Sequence, residues 1–137
     1  MGKLAERLSD ASRSGVYRAA RGDEVVEAAA EAGLRLEKIR YADKPALLQN
    51  IAAALGFPEW FGHNWDALED CLGDLSWSHA AGHVLLFEAA RLEDDLGVLI
   101  DVLRSSGEYW AGRGKPFFAV FVDPQGSLPL PALFRDS

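Results

Sequence analysis

Four carboxylates, Asp66, Glu69, Asp70 and Asp74, recur at the three- and four-residue spacing that gathers side chains on one side of a helix. Such a group has three chemical uses. It can ligate a cation, work as a paired acid and base, or present negative charge to a positive partner. The surrounding charge favours the third. No lysine or arginine occurs between Lys44 and Arg91. Residues 45 to 90 hold six acids, Glu59, Asp66, Glu69, Asp70, Asp74 and Glu88, which contribute −6 of the formal −7. The remaining 15 acids and 14 bases nearly cancel, so the negative charge is localised. Direct binding of nucleic acid is not expected, because phosphate contacts need lysine and arginine.

The other two uses lack their supporting residues. His63, Asp66, Glu69 and Asp70 offer donors but no complete ligand set with a known metal spacing. His79 and His83 are four apart, but in a glycine-containing segment ahead of a strand, where helical spacing has no meaning. A paired-carboxylate hydrolase needs a substrate cleft, which an exposed helix face does not suggest. No glycine-rich phosphate loop or Ser-His-Asp arrangement stands out. The chain is therefore expected to have no catalytic residues, no metal and no cofactor.

At about 100° per residue, Trp65, Leu68, Cys71, Leu72 and Leu75 fall on one side of this helix and the four carboxylates on the other. Asp66 and Glu69 suit the positive N-terminus of a helix, whereas Asp70 and Asp74 lie towards its negative end. Asp66 with Asp70, and Asp70 with Asp74, are like charges four apart. Each pair costs roughly 0.2–0.5 kcal/mol in a helix. A mildly destabilising cluster reads equally as a solvated face or as a binding surface. The preceding loop adds Trp60 and Phe61 before Gly62. One aromatic suffices to staple a helix start, and an exposed one beside acids has the composition of an interface anchor. Both core and interface remain open for them.

The elements that position these residues read as follows. The 137 residues suit one domain, and 49% hydrophobic with 26% charged residues is ordinary for a soluble protein. Single Cys71 excludes an internal disulfide and fits a cytoplasmic protein. The start is too polar for a signal peptide, and no apolar run nears the ~20 residues of a membrane span, so no membrane contact is expected. A short helix is expected over 3–13, with Leu4, Leu8 and Ala11 on one side. A strand follows over Gly15–Ala20, then a helix capped by Asp23 running to Ala32 and ended by Gly33. Leu34–Tyr41 reads as a strand. Asp43 caps a helix with Leu47, Leu48, Ile51 and Leu55 on one face, stopped at Gly56-Phe57-Pro58. The acidic helix spans Asn64 to Gly73. Val84–Phe87 is a buried strand. Leu92, Leu96, Leu99, Ile100 and Leu103 mark a long helix to Trp110, and Phe117–Val122 is the clearest strand. The order β-α-β-α-α-β-α-β implies an α/β fold with a small parallel sheet of three to four strands packed with helices.

The run Leu55-Gly-Phe-Pro-Glu-Trp-Phe-Gly-His-Asn-Trp-Asp-Ala-Leu-Glu-Asp-Cys-Leu72 resembles the signature of the barstar family, intracellular inhibitors of barnase-type ribonucleases. The matching elements are Pro58-Glu59 with two aromatics and Gly62, then Asn64, Asp66-Ala67-Leu68 and Asp70-Cys71-Leu72. Weaker similarity covers residues 34–123, leaving a β-α extension over 1–33 and a tail over 124–137 around the core of a single domain spanning 1–137. The resemblance implies a barstar-like fold whose acidic helix and preceding loop plug a ribonuclease active site. It places Trp60 and Phe61 where the family has interface tyrosines, Asn64 and Asp66 on interface positions, and Asp70 on the aspartate that enters the enzyme's phosphate site. Two departures stand out. Glu69 replaces a family interface aromatic, and a family interface glutamate falls near Ser105.

The implied partner is a basic, extracellular-type (barnase-like) ribonuclease or another basic protein. Its expected contact set is Trp60, Phe61, Gly62, Asn64, Asp66, Glu69, Asp70 and Asp74. The carboxylates would stand where the enzyme holds RNA phosphates. The alternative is a non-inhibitory interaction module of the same fold.

Overall fold

The structure, a computed structural model, describes residues 2–40, 43–59, 61–88 and 95–134. Four strands form one parallel sheet: β1 (Gly15–Ala19), β2 (Arg35–Arg40), β3 (His83–Glu88) and β4 (Phe117–Val122), in the order β1-β4-β3-β2. The two central strands are the two most apolar. Leu85 of β3 faces Ala119 of β4, and β1 and β2 flank them with Tyr17 against Val120 and Ile39 against Phe87. Five α-helices stand among the described residues: α1 (Lys3–Ser9), α2 (Gly22–Glu31), α3 (Lys44–Leu55), α4 (Trp65–Asp74) and α5 (Leu96–Gly112). The chain is an α/β protein with a four-stranded parallel sheet.

Strand alternation divides the core in two. Leu85, Phe87, Phe117, Ala119 and Phe121 point to one face and pack with α3, α4 and α5. Val84, Leu86, Phe118 and Val120 point to the other and meet Ala5 and Leu8 of α1 and Val25, Ala28 and Ala29 of α2. Helices on both faces are what a parallel sheet of this composition requires. The segment ahead of β2 thus supplies an edge strand and covers one face of the sheet. The tail seals the outer edge of β1. Arg18 N–H donates to the Pro131 carbonyl at 2.9 Å, and Leu133 N–H donates to the Arg18 carbonyl at 2.8 Å. The Asp123 carboxylate accepts from Leu128 N–H at 2.8 Å and from Ser127, which bends the chain back onto that edge.

Local details differ from the sequence expectation in two places. The first helix stops at Ser9, and Ala11–Arg13 forms a separate 3-10 turn, because Asp10 turns extended and caps it by accepting from Ser12 N–H. α2 begins one residue before Asp23, with Arg21 at the cap. Asp23 instead lies in the first turn and pairs with the Arg21 guanidinium at 2.7 Å. The long helix is described from Leu96, so the Leu92 start lies outside the described residues, as do Trp60 and Tyr41. Elsewhere the signals match. Asp43 caps α3 through Ala46 N–H, and Gly56 ends it at φ 66°, in the left-handed region. Gly107 lets α5 lie on β1: a Cβ there would stand 3.0 Å from the Gly15 backbone.

Candidate functional site: the exposed acidic face of helix α4

The acidic helix is fixed at both ends. Asn64 Oδ1 accepts from Ala67 N–H at 2.8 Å, and its Nδ2 donates back to the Gly62 carbonyl at 3.3 Å. Gly62 is part of this device, since a Cβ there would come within 3.1 Å of Asn64 Nδ2. The helix closes at Leu75, which adopts φ 45° and donates its N–H to the Cys71 carbonyl. Left-handed geometry is costly for leucine. Here burial holds it, for Leu75 is 2% exposed in the core.

The two sides of the helix separate as the wheel expects. Leu68, Cys71 and Leu72 are fully buried, while Asp66, Glu69, Asp70 and Asp74 are exposed. Trp65 is half-buried under the Lys44 ammonium, 5.2 Å from the ring centre. Trp110 of α5 donates its indole N–H to the Leu72 carbonyl at 2.8 Å and ties the two helices together. The same register therefore fixes the core and aims the carboxylates outwards.

The charges on this face have no ion-pair partner among the described residues. Ion pairs among the described residues join Arg13 to Asp10, Arg21 to Asp23 and Glu24, and Arg35 to Glu37, all away from α4. Asp66, Glu69, Asp70 and Asp74 have none. Their field reaches the core: burial first, then Asp70 and Asp74, push the Cys71 thiol up from its ordinary range. A thiol so placed is a small core side chain, with no reactive role.

The structure places one of the two loop aromatics. Phe61, a candidate contact, is 5% exposed and lies in the core. Its ring meets Phe57 edge-on at 5.0 Å and His63 at 4.8 Å. It supports the loop from beneath rather than facing the acidic side, as a staple at the helix start would. Trp60 lies outside the described residues. Gly62 and Asn64 are exposed, and both shape the helix start.

One exposed aromatic escaped the sequence reading. Tyr109 on α5 is 42% exposed and stands beside α4. With Glu69, Gly73, Ser105 and Ser106 it lines a cleft of about 290 Å³ between the helices. Both departures from the family pattern, Glu69 and Ser105, are on this cleft. The signal was present in the α5 periodicity: Tyr109 falls on the polar side with Ser105, away from Leu99 and Leu103.

The chemical capacity of the site is narrow. No group of three His, Cys, Asp or Glu side chains among the described residues is placed to hold a metal ion. His79 is exposed and His83 is buried against Ser78, so the two do not converge. No helix among the described residues is long and apolar enough to cross a membrane. What the structure presents here is an exposed face of four carboxylates on a parallel α/β fold, with no ion-pair partner among the described residues.

Residues 31–122 match the family described as Barstar (barnase inhibitor). The match runs from the end of α2 through β4 and includes the whole of α4. The chain belongs to the barstar family, whose members are named as inhibitors. No curated protein matches the chain.

Proposed function

We propose that this protein inhibits a basic, barnase-like ribonuclease by covering its active site with α4 and the loop before it. The observation that carries the reading is the set of four exposed carboxylates on α4 without an ion-pair partner among the described residues. A ribonuclease site is basic because it holds phosphate, and carboxylates at that spacing can occupy phosphate positions. Asp70, central in the row, is the residue proposed to enter the phosphate site. Asp66, Glu69 and Asp74 flank it, and Trp60, Gly62 and Asn64 make contacts from the loop. Phe61 acts by supporting that loop. The concentrated charge also steers encounter, an effect that salt weakens. A cytoplasmic location fits the free Cys71 and the need to protect cellular RNA.

The departures at Glu69 and Ser105 favour a target surface other than the one the family pattern fits. A basic protein that is not a ribonuclease is the second reading. RNA cleavage by a panel of barnase-type ribonucleases, measured with and without the protein, separates the two. Stoichiometric inhibition, lost first in Asp70→Ala, supports the inhibitor. Binding without inhibition supports the interaction module, and neither binding nor inhibition refutes the proposal.

A further inference from the structure

The cleft between α4 and α5 has a composition of its own. Its floor is small because Gly73 has no side chain and Ser106 is 2% exposed, with its hydroxyl donated to the Val102 carbonyl at 3.1 Å. A Cβ at Gly73 would meet nothing within 4 Å, so the space above it is open. Glu69 lines the cleft with a carboxylate that has no ion-pair partner among the described residues, and Ser105 adds an exposed hydroxyl. Tyr109 closes the end.

Tyr109 is held in place before any partner arrives. Its ring meets Trp110 edge-on at 5.1 Å, and Arg113 lies 4.6 Å over it. Trp110 is in turn bonded to the Leu72 carbonyl of α4. An aromatic already fixed in one position loses little freedom on binding, which is the property of an interface anchor. Exposed large hydrophobics among the described residues are two, Val98 and Tyr109, both on α5. Of these, Tyr109 borders the acidic helix. At about 290 Å³ the cleft sits at the lower end of the ~300–1,000 Å³ of ligand sites and has room for a single long side chain.

We propose that this cleft takes one lysine or arginine side chain from the partner's surface. Its cation meets the Glu69 carboxylate and its stem lies along the Tyr109 ring. The charge of α4 selects a basic partner, and an aromatic beside a carboxylate suits a long cationic side chain in particular. The cleft then selects among basic partners by where they carry that residue. This proposal rests on the reading of α4 as a partner-binding face.

The test uses calorimetric titration against a panel of barnase-type ribonucleases. Three variants probe the cleft: Gly73→Leu fills it, Tyr109→Ala removes its end wall, and Glu69→Gln removes its charge. Asp70→Ala probes the α4 face independently. Each cleft variant is expected to raise Kd about tenfold. The Glu69→Gln loss should shrink at about 0.5 M salt. Gly73→Leu should melt no lower than the parent, because leucine has the higher helix propensity, so its loss of binding is not a loss of fold. If Asp70→Ala weakens binding while Gly73→Leu and Tyr109→Ala stay within about twofold of the parent, the cleft proposal is overturned and the α4 reading stands. If the parent binds no member of the panel, the inhibitor reading fails and the cleft proposal fails with it.

Discussion

His83 makes a sharp prediction about acid stability. It begins the central strand β3, is 2% exposed, and shares a hydrogen bond of 2.9 Å between Nε2 and the Ser78 hydroxyl. Burial, with Lys115 and Arg35 adding repulsion, pushes its pKa down from 6.5 to about 4. The unfolded chain then binds a proton at higher pH than the native one. Stability is unaffected by this group above about pH 6.5 and falls as the pH drops from there towards 4. At 1.36 kcal/mol per unit, the loss between pH 7 and pH 4.5 is about 2–3 kcal/mol. Urea unfolding of the parent and of His83→Gln at those two pH values measures it. Glutamine keeps a polar end for Ser78 but does not titrate. The parent should lose about 2–3 kcal/mol more than the variant between the two pH values. Equal losses in the two proteins would refute the argument, whatever the variant costs at pH 7.

Three further outcomes follow from the packing. Asn64→Ala removes the cap of α4 and should lower stability by about 1 kcal/mol in thermal melts, with weaker partner binding as the helix start frays. Leu8→Ala, in a fully buried position on α1, should cost about 2–5 kcal/mol; an unchanged urea midpoint would show that the N-terminal helix is dispensable. Asp123 has its carboxyl held below the usual 3.8 chiefly by the Leu128 N–H, with Ser127 adding and burial opposing. Its contribution is present above 3.8 and lost as the pH falls through its lower folded value. Asp123→Asn should therefore be less stable than the parent at pH 5, and the gap should close towards pH 2.5 in parallel urea titrations.

Much of the fold was legible because the chain's signals are local. Phe117–Val122 alternates two sets of apolar residues and becomes β4, buried on both faces. Asp43, Gly56 and Asn64 act at the helix ends where their chemistry suggests, through short-range hydrogen bonds or a left-handed backbone. Asp23 misled because a good capping residue competes with its neighbours. Its carboxylate is engaged by Arg21, so the helix starts earlier. Phe61 was hidden for a different reason. Whether an aromatic in a loop is buried depends on what packs beside it, and that is not written in its own spacing. Tyr109 had its direction in the α5 period, but not the neighbour it faces.

The sequence alone determined the register of α4. Apolar and acidic residues recur with the period of one helix, so any structure that buries Leu68, Cys71 and Leu72 must expose Asp66, Glu69, Asp70 and Asp74. It also determined the absence of nearby lysine and arginine along the chain between Lys44 and Arg91. Only the tertiary structure decided that no described cation from elsewhere forms an ion pair with that face. Only it set α5 against α4, with Tyr109 and Glu69 on one cleft, and placed Phe61 beneath the loop. Periodicity fixes the direction of a side chain relative to its own helix. What stands opposite that side chain depends on contacts between distant segments, which only the folded chain brings together.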